Sequence, residues 1–172
     1  NRLNQIHEGT NAIQALDLLG RKVTQQRGAA YAALVASIRQ AVADANAEAS
    51  SAVQPSLASM AGALESATER MTAVTESLVG AMQADPARGL SNASTYLELV
   101  SRTVFAWLWL RQATIAARAL AAGATGDDAS FYHGKVQAAR FYFGFELPRN
   151  MADAELLLRN DDAAFVMQDA WF

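Results

Sequence analysis

Cysteine is absent from all 172 residues, so neither a disulfide framework nor a thiolate metal site can be built here. Histidine is nearly absent. His7 and His133 are the only two, and the positions three before them hold Asn4 and Ser130. A di-iron bundle needs Glu-x-x-His pairs, and a zinc protease needs two histidines four apart, so no protein-bound metal is expected. Glycine-rich phosphate loops are missing as well. Fourteen basic residues against 17 acidic ones leave a net charge of −3, and the basic residues are scattered, which gives no footprint for nucleic acid. The strongest apolar run, residues 104–110, is far short of the roughly 20 residues a membrane span needs, and no signal peptide is visible. These absences point to a soluble chain, expected in the cytoplasm and long enough to bury roughly 70% of its extended surface.

Alternating β-branched and aromatic residues, the pattern of a strand, are also missing. Alanine is abundant instead, which favours helix on propensity. A short helix is predicted over residues 10–23, with Thr10 as its N-cap. A polar break follows at residues 24–28, where a domain boundary is placed: residues 1–26 on one side and 27–172 on the other. From residue 29 the stripe Tyr31, Leu34, Ile38, Val42 and Ala45 predicts a helix to about residue 50. Pro55 suits the first position of the next helix, whose seam is Leu57, Met60, Leu64, Ala67, Met71, Val74 and Leu78, and which ends near residue 83.

A turn cluster at residues 85–89 and a cap at Ser91 introduce a third long helix. Its expected main face is Tyr96, Leu97, Val100, Val104, Trp107 and Leu108, with Trp109 and Leu110 carrying apolar surface round the cylinder. That helix should therefore be central, or lie against another subunit, and Gly123 should stop it. Asp127 and Asp128 suit the start of a fourth, in which Phe131, Lys135, Ala138, Ala139 and Tyr142 share a face. Pro148 should interrupt it before Met151, Ala154, Leu157 and Leu158 resume the period. A final helix is expected after Asn160, Asp161 and Asp162. The predicted fold is all-α, an antiparallel bundle of about four long helices preceded by one short one. His133, Trp107, Trp109 and the aromatic run 141–145 read first as packing; lining of a ligand pocket is the alternative for that run.

Recognisable chemistry is confined to the start of the chain. Taken alone, Glu8 reads as a carboxylate at the positive end of a helix, worth about 0.3–1 kcal/mol. Its surroundings change that reading. His7-Glu8-Gly9-Thr10-Asn11-Ala12-Ile13-Gln14 resembles the C-terminal catalytic loop of the acyl-CoA dehydrogenases, flavoenzymes that dehydrogenate the α,β-carbons of acyl-CoA thioesters. The continuation Ala15-Leu16-Asp17-Leu18-Leu19-Gly20-Arg21-Lys22 looks like the larger, 3-methylmercaptopropionyl-CoA dehydrogenase-like members, which carry an appended C-terminal helical domain. Residues 141–143 and 147–149 resemble that domain less specifically.

The resemblance implies that Glu8 is the general base for the α-proton, that Gly9 lies beside the thioester, and that Thr10 and Asn11 approach FAD. His7 stands where tyrosine is more usual. It further implies an acyl-CoA substrate, an electron acceptor and a homo-oligomer. A glutamate shielded from water has its pKa raised toward operating pH, which suits it to this task, while the hydride needs a cofactor. Asn1 is not an initiator methionine, and the motif stands almost at the terminus. The expectation is therefore the C-terminal segment of a larger enzyme, inactive by itself. The competing expectation is a helical association module without catalysis of its own.

Overall fold

The computed structural model describes residues 9–52, 55–163 and 165–171. All regular structure among them is helical: α1 (Asn11–Asp17), α2 (Gln25–Ala52), α3 (Pro55–Ala84), α4 (Pro86–Leu90), α5 (Ala93–Ala121), α6 (Gly126–Phe141) and α7 (Asn150–Arg159). A π-helical turn, Leu18–Lys22, extends α1. A second, Tyr142–Glu146, continues α6 into a 3₁₀ turn, Leu147–Arg149.

Contacts far apart in sequence fix the directions. Ile38 and Val42 share a cleft with Glu65 and Thr68, while Tyr31 is bonded to Thr75, so α2 and α3 run antiparallel. Thr75 also meets Tyr96, just beyond the tight α3–α5 connection. Lys135 reaches Gln112, and Tyr142 donates to the Arg102 carbonyl, which sets α6 antiparallel to α5. Asn150 bonds Leu99 and Asn92 bonds the Asp161 carbonyl, so α7 also runs against α5. The result is the expected antiparallel bundle, with α5 at its centre.

The predicted seam of α3 is its core face: Leu57, Met60, Leu64, Ala67, Met71, Val74 and Leu78 are all buried. On α2, Val35, Ile38, Val42 and Ala45 are buried, and Tyr31 and Leu34 pack at the margin. Regular α-helix begins only after Gly28, because Gln26, Arg27 and Gly28 are left-handed (φ 51°, 58° and 78°). That turn coincides with the polar break, although Ala15, Leu19 and Val23 before it share the core of the helices after it.

Four expectations need correction. Thr10 occupies the N-cap position of α1 but has helical torsions (φ −94°, ψ −9°) and makes no side-chain capping bond, since such a bond needs an extended residue. Ser91 is not the cap of α5; Asn92 stands there, and the Ser91 hydroxyl donates to the Arg88 carbonyl instead. The buried face of α5 is Tyr96, Leu99, Val100, Thr103, Ala106, Leu110, Ala113 and Ala117. Leu97, Val104 and Trp107 are only half-buried and Leu108 is exposed, because small residues let neighbouring helices approach closely and push bulk to the flanks. Finally, among the described residues no α-helix follows residue 160. Asn160 is left-handed and the Asp161 carboxylate takes the Ala163 N–H, a local turn that competes with helix, and the regular structure described beyond it is the 3₁₀ turn Asp169–Trp171.

Candidate functional site

Ala15 and Leu19 are completely buried and hold α1 and its π-turn against the bundle. Their neighbours Ile13 and Leu16 remain 65% and 47% exposed, so α1 presents an apolar edge outward. Gly9, Thr10 and Asn11 lie at the N-terminal end of this edge, all exposed. Gly9 has φ +90°, a conformation glycine adopts without strain, and the space where a side chain would stand is open to at least 4 Å. The Thr10 carbonyl accepts from the Gln14 N–H at 2.9 Å and closes the first turn. Asp17, further along, is held below the usual carboxylate range by its hydrogen bond from Arg21.

His7 and Glu8, the latter the expected base, lie outside the described residues. The structure brings Gly9, Thr10 and Asn11 together on one edge. Four clefts on the bundle, lined by side chains of α2, α3, α5, α6 and the π-turn after it, lie away from these three residues. An open glycine and two small polar residues thus stand together at a helix start, on an edge that the described residues leave uncovered.

The other residues weighed from sequence fall elsewhere. His133 is exposed on α6, and no cluster of possible metal ligands occurs among the described residues. Trp107 and Trp109 both pack at the margin of the core. In the aromatic run, Phe143 is buried, whereas Phe141 and Phe145 stack on each other at 4.8 Å and are 55% and 65% exposed. Residues four apart are neighbours on a helix face, so the pairing is available from spacing; what the sequence does not show is that the pair faces outward while Phe143 between them turns to the core. Sequence reasoning also missed an internal polar chain in which Tyr96, fully buried, meets the Thr75 hydroxyl at 2.8 Å, and Thr75 donates to Tyr31. Burial pushes the Tyr96 phenol far above its ordinary value. Among the described residues no helix is long and apolar enough to cross a membrane.

Comparison with known proteins agrees with the motif. Residues 29–168 match a family model described as acetyl-CoA dehydrogenase C-terminal like. The chain is 33% identical over 174 residues to the broad-specificity linear acyl-CoA dehydrogenase FadE5 of Mycobacterium tuberculosis, an alignment covering 99% of this chain and 28% of that protein. It is 27% identical over 172 residues to a butyryl-CoA dehydrogenase of Syntrophomonas wolfei, covering 99% of this chain and 27% of the relative. The chain thus spans little more than a quarter of the length of these relatives. An all-helical bundle, matched by the family model over most of its length and by dehydrogenases over nearly all of it, belongs to the acyl-CoA dehydrogenase C-terminal family.

Proposed function

We propose that the chain is the C-terminal part of an FAD-dependent acyl-CoA dehydrogenase, with residues 1–26 the tail of the catalytic domain and residues 27–172 an appended helical domain. One observation carries the proposal. Two relatives named as acyl-CoA dehydrogenases align over 99% of the chain, a span that takes in the Glu8-Gly9-Thr10-Asn11 motif.

In this reading Glu8 takes the α-proton of an acyl-CoA thioester onto a carboxylate oxygen, and Gly9 gives the thioester room to approach. Thr10 and Asn11 line the flavin dinucleotide. FAD, when bound, supplies the acceptor for the β-hydride, so that the α,β-bond becomes double. Removal of water around Glu8 would raise its pKa and make it a stronger base. The electron acceptor that reoxidises the enzyme belongs to the proposal by the same reasoning. The segment alone is expected to be inactive, because its described residues offer only one wall.

The test is Glu8→Gln in the longer flavoprotein. Dehydrogenation should fall by about 10²–10⁴-fold while the flavin absorbance of the purified protein is unchanged. Near-normal turnover would remove Glu8 as the base.

The exposed Phe141–Phe145 stack favours a second reading, a helical module that joins copies of the protein with no catalysis of its own. Sedimentation decides it: a monomer for the purified chain would contradict self-association through that stack.

A further inference from the structure

The turn Gln26-Arg27-Gly28 links α1 to the bundle, but the helix before that turn is seated in the core of the helices after it. Ala15, Leu19 and Val23 are all buried. Residues at four-residue steps drift about 40° per step round a plain α-helix. The π-turn Leu18–Lys22 is wider, with the Val23 N–H bonded to the Leu18 carbonyl at 3.1 Å, and takes up that drift, so that all three residues face inward. α1 lies on α5, and its π-turn meets α2, α3 and α5.

One buried line leaves a helix free to roll about its own axis. A second contact, roughly a quarter-turn round from Leu19, prevents this. At Gly20 a Cβ would stand 3.4 Å from Cδ2 and 3.7 Å from Cδ1 of Leu90, so the Leu90 side chain closes on the flank of the π-turn that carries no side chain. Leu90 is half-buried against the core and belongs to α4, whose Gly89 is pressed onto Met82 of α3. The Asp17–Arg21 ion pair lies within α1 and its π-turn and ties neither to the bundle. Helices that follow the connecting turn thus set the direction of α1 from two sides.

Thr10 and Asn11 sit at the other end of this short lever. The Thr10 carbonyl is bonded into the first turn of α1, and Asn11 stands about 12 Å from Leu19 by helix rise. A roll or shift at Leu19 is carried along α1 to both. We propose that Leu19 and Leu90 are positioning residues for the dehydrogenation: through α1 they hold Thr10 and Asn11 in register with the flavin. The bundle after residue 26 is then part of the scaffold of the active site. This inference rests on the flavoenzyme reading above. A displacement of about 1 Å can cost about 10²-fold in rate, so a loosened α1 is expensive even with every reacting group present.

The test uses the longer flavoprotein, with Leu19→Ala and Leu90→Ala beside two controls. Leu57→Ala opens a hole in the core at the opposite end of α3, about 30 Å from Leu78 by helix rise, and Leu19→Met keeps the bulk of the anchor. Leu19→Ala and Leu90→Ala should each lower kcat by about tenfold or more, with KM changed by less than about threefold. Both should also shift the visible flavin band or lower the flavin retained per protein after desalting. Leu19→Met should return both readouts close to those of the unaltered protein. Leu57→Ala should leave them unchanged even where it lowers the urea midpoint as much. If Leu19→Ala does not fold, the half-buried Leu90 decides the matter. Unaltered kcat and flavin band in Leu90→Ala would overturn the proposal, as would a rise in KM alone. Equal losses in Leu57→Ala would overturn it too, since the role would then be structural only. Glu8→Gln separates the two readings: if it abolishes turnover while Leu19→Ala and Leu90→Ala remain fully active, the flavoenzyme reading stands and the positioning falls. A longer protein that purifies without flavin and takes none up would overturn both.

Discussion

Gln26 and Arg27 hold left-handed torsions beside Gly28, a conformation that costs a residue with a Cβ about 1–2 kcal/mol. The strain persists because Val23 and Val35, on either side of the turn, are both buried and fix its ends. Replacing Arg27 by glycine should relieve it and raise stability by about 0.5–1 kcal/mol; a lower urea midpoint for Arg27→Gly would contradict this. Tyr96 gives a second prediction at this scale. Its phenol is raised by burial in the folded chain, with the Thr75 hydrogen bond opposing and the neighbouring Tyr31 adding to the shift. The unfolded tyrosine ionises near pH 10, so above that pH the unfolded state sheds a proton that the folded state keeps. Stability should be unaffected below about pH 10 and fall by about 1.4 kcal/mol per pH unit above it; Tyr96→Phe should flatten that slope. Equal slopes in the two proteins would show that Tyr96 does not titrate with unfolding. Tyr96 was legible in the sequence as an apolar-face residue. Its partners were not, because Thr75 and Tyr31 are brought to it by packing across 21 and 65 positions.

Single helices show where pattern suffices and where it fails. The α3 seam follows directly from spacing, since seven apolar residues at three- and four-residue steps leave one face to bury. α5 defeats the same logic. It is apolar nearly all round, so the sequence could not say which stripe faces the core, and the alanines won because they allow close approach. Pro148 did interrupt the last long helix, but the π-turn before it has no signature in the residue pattern. The start of α4 is better specified: Asp85 accepts from the Ala87 and Arg88 N–H groups at 3.0 and 3.2 Å, ahead of Pro86. Asp85→Ala should cost about 1 kcal/mol by chemical denaturation, with no change in the rest of the bundle. At the other end of that helix Gly89 lies so close to α3 that a Cβ would stand 2.7 Å from the Met82 nitrogen and 2.8 Å from its Cα. Gly89→Ala should therefore destabilise by about 1–3 kcal/mol, the cost of overpacking, and a neutral result would mean that α4 can move away freely.

The whole molecule couples a bundle to an edge. Ala15 and Leu19 tie α1 to the core, which fixes the direction in which Gly9, Thr10 and Asn11 face, and leaves Ile13 and Leu16 uncovered beside them. An exposed apolar edge next to an open glycine suits a surface that other polypeptide completes. That is the structural side of the proposed function, and it makes a plain demand on the chain by itself. The decisive measurement is the visible absorbance spectrum of the purified 172-residue chain after mixing with FAD and desalting. The account predicts that no flavin absorbance remains with the protein, because one wall does not hold the cofactor. Flavin carried through the column in proportion to protein would contradict it, since the chain would then build a complete binding site of its own.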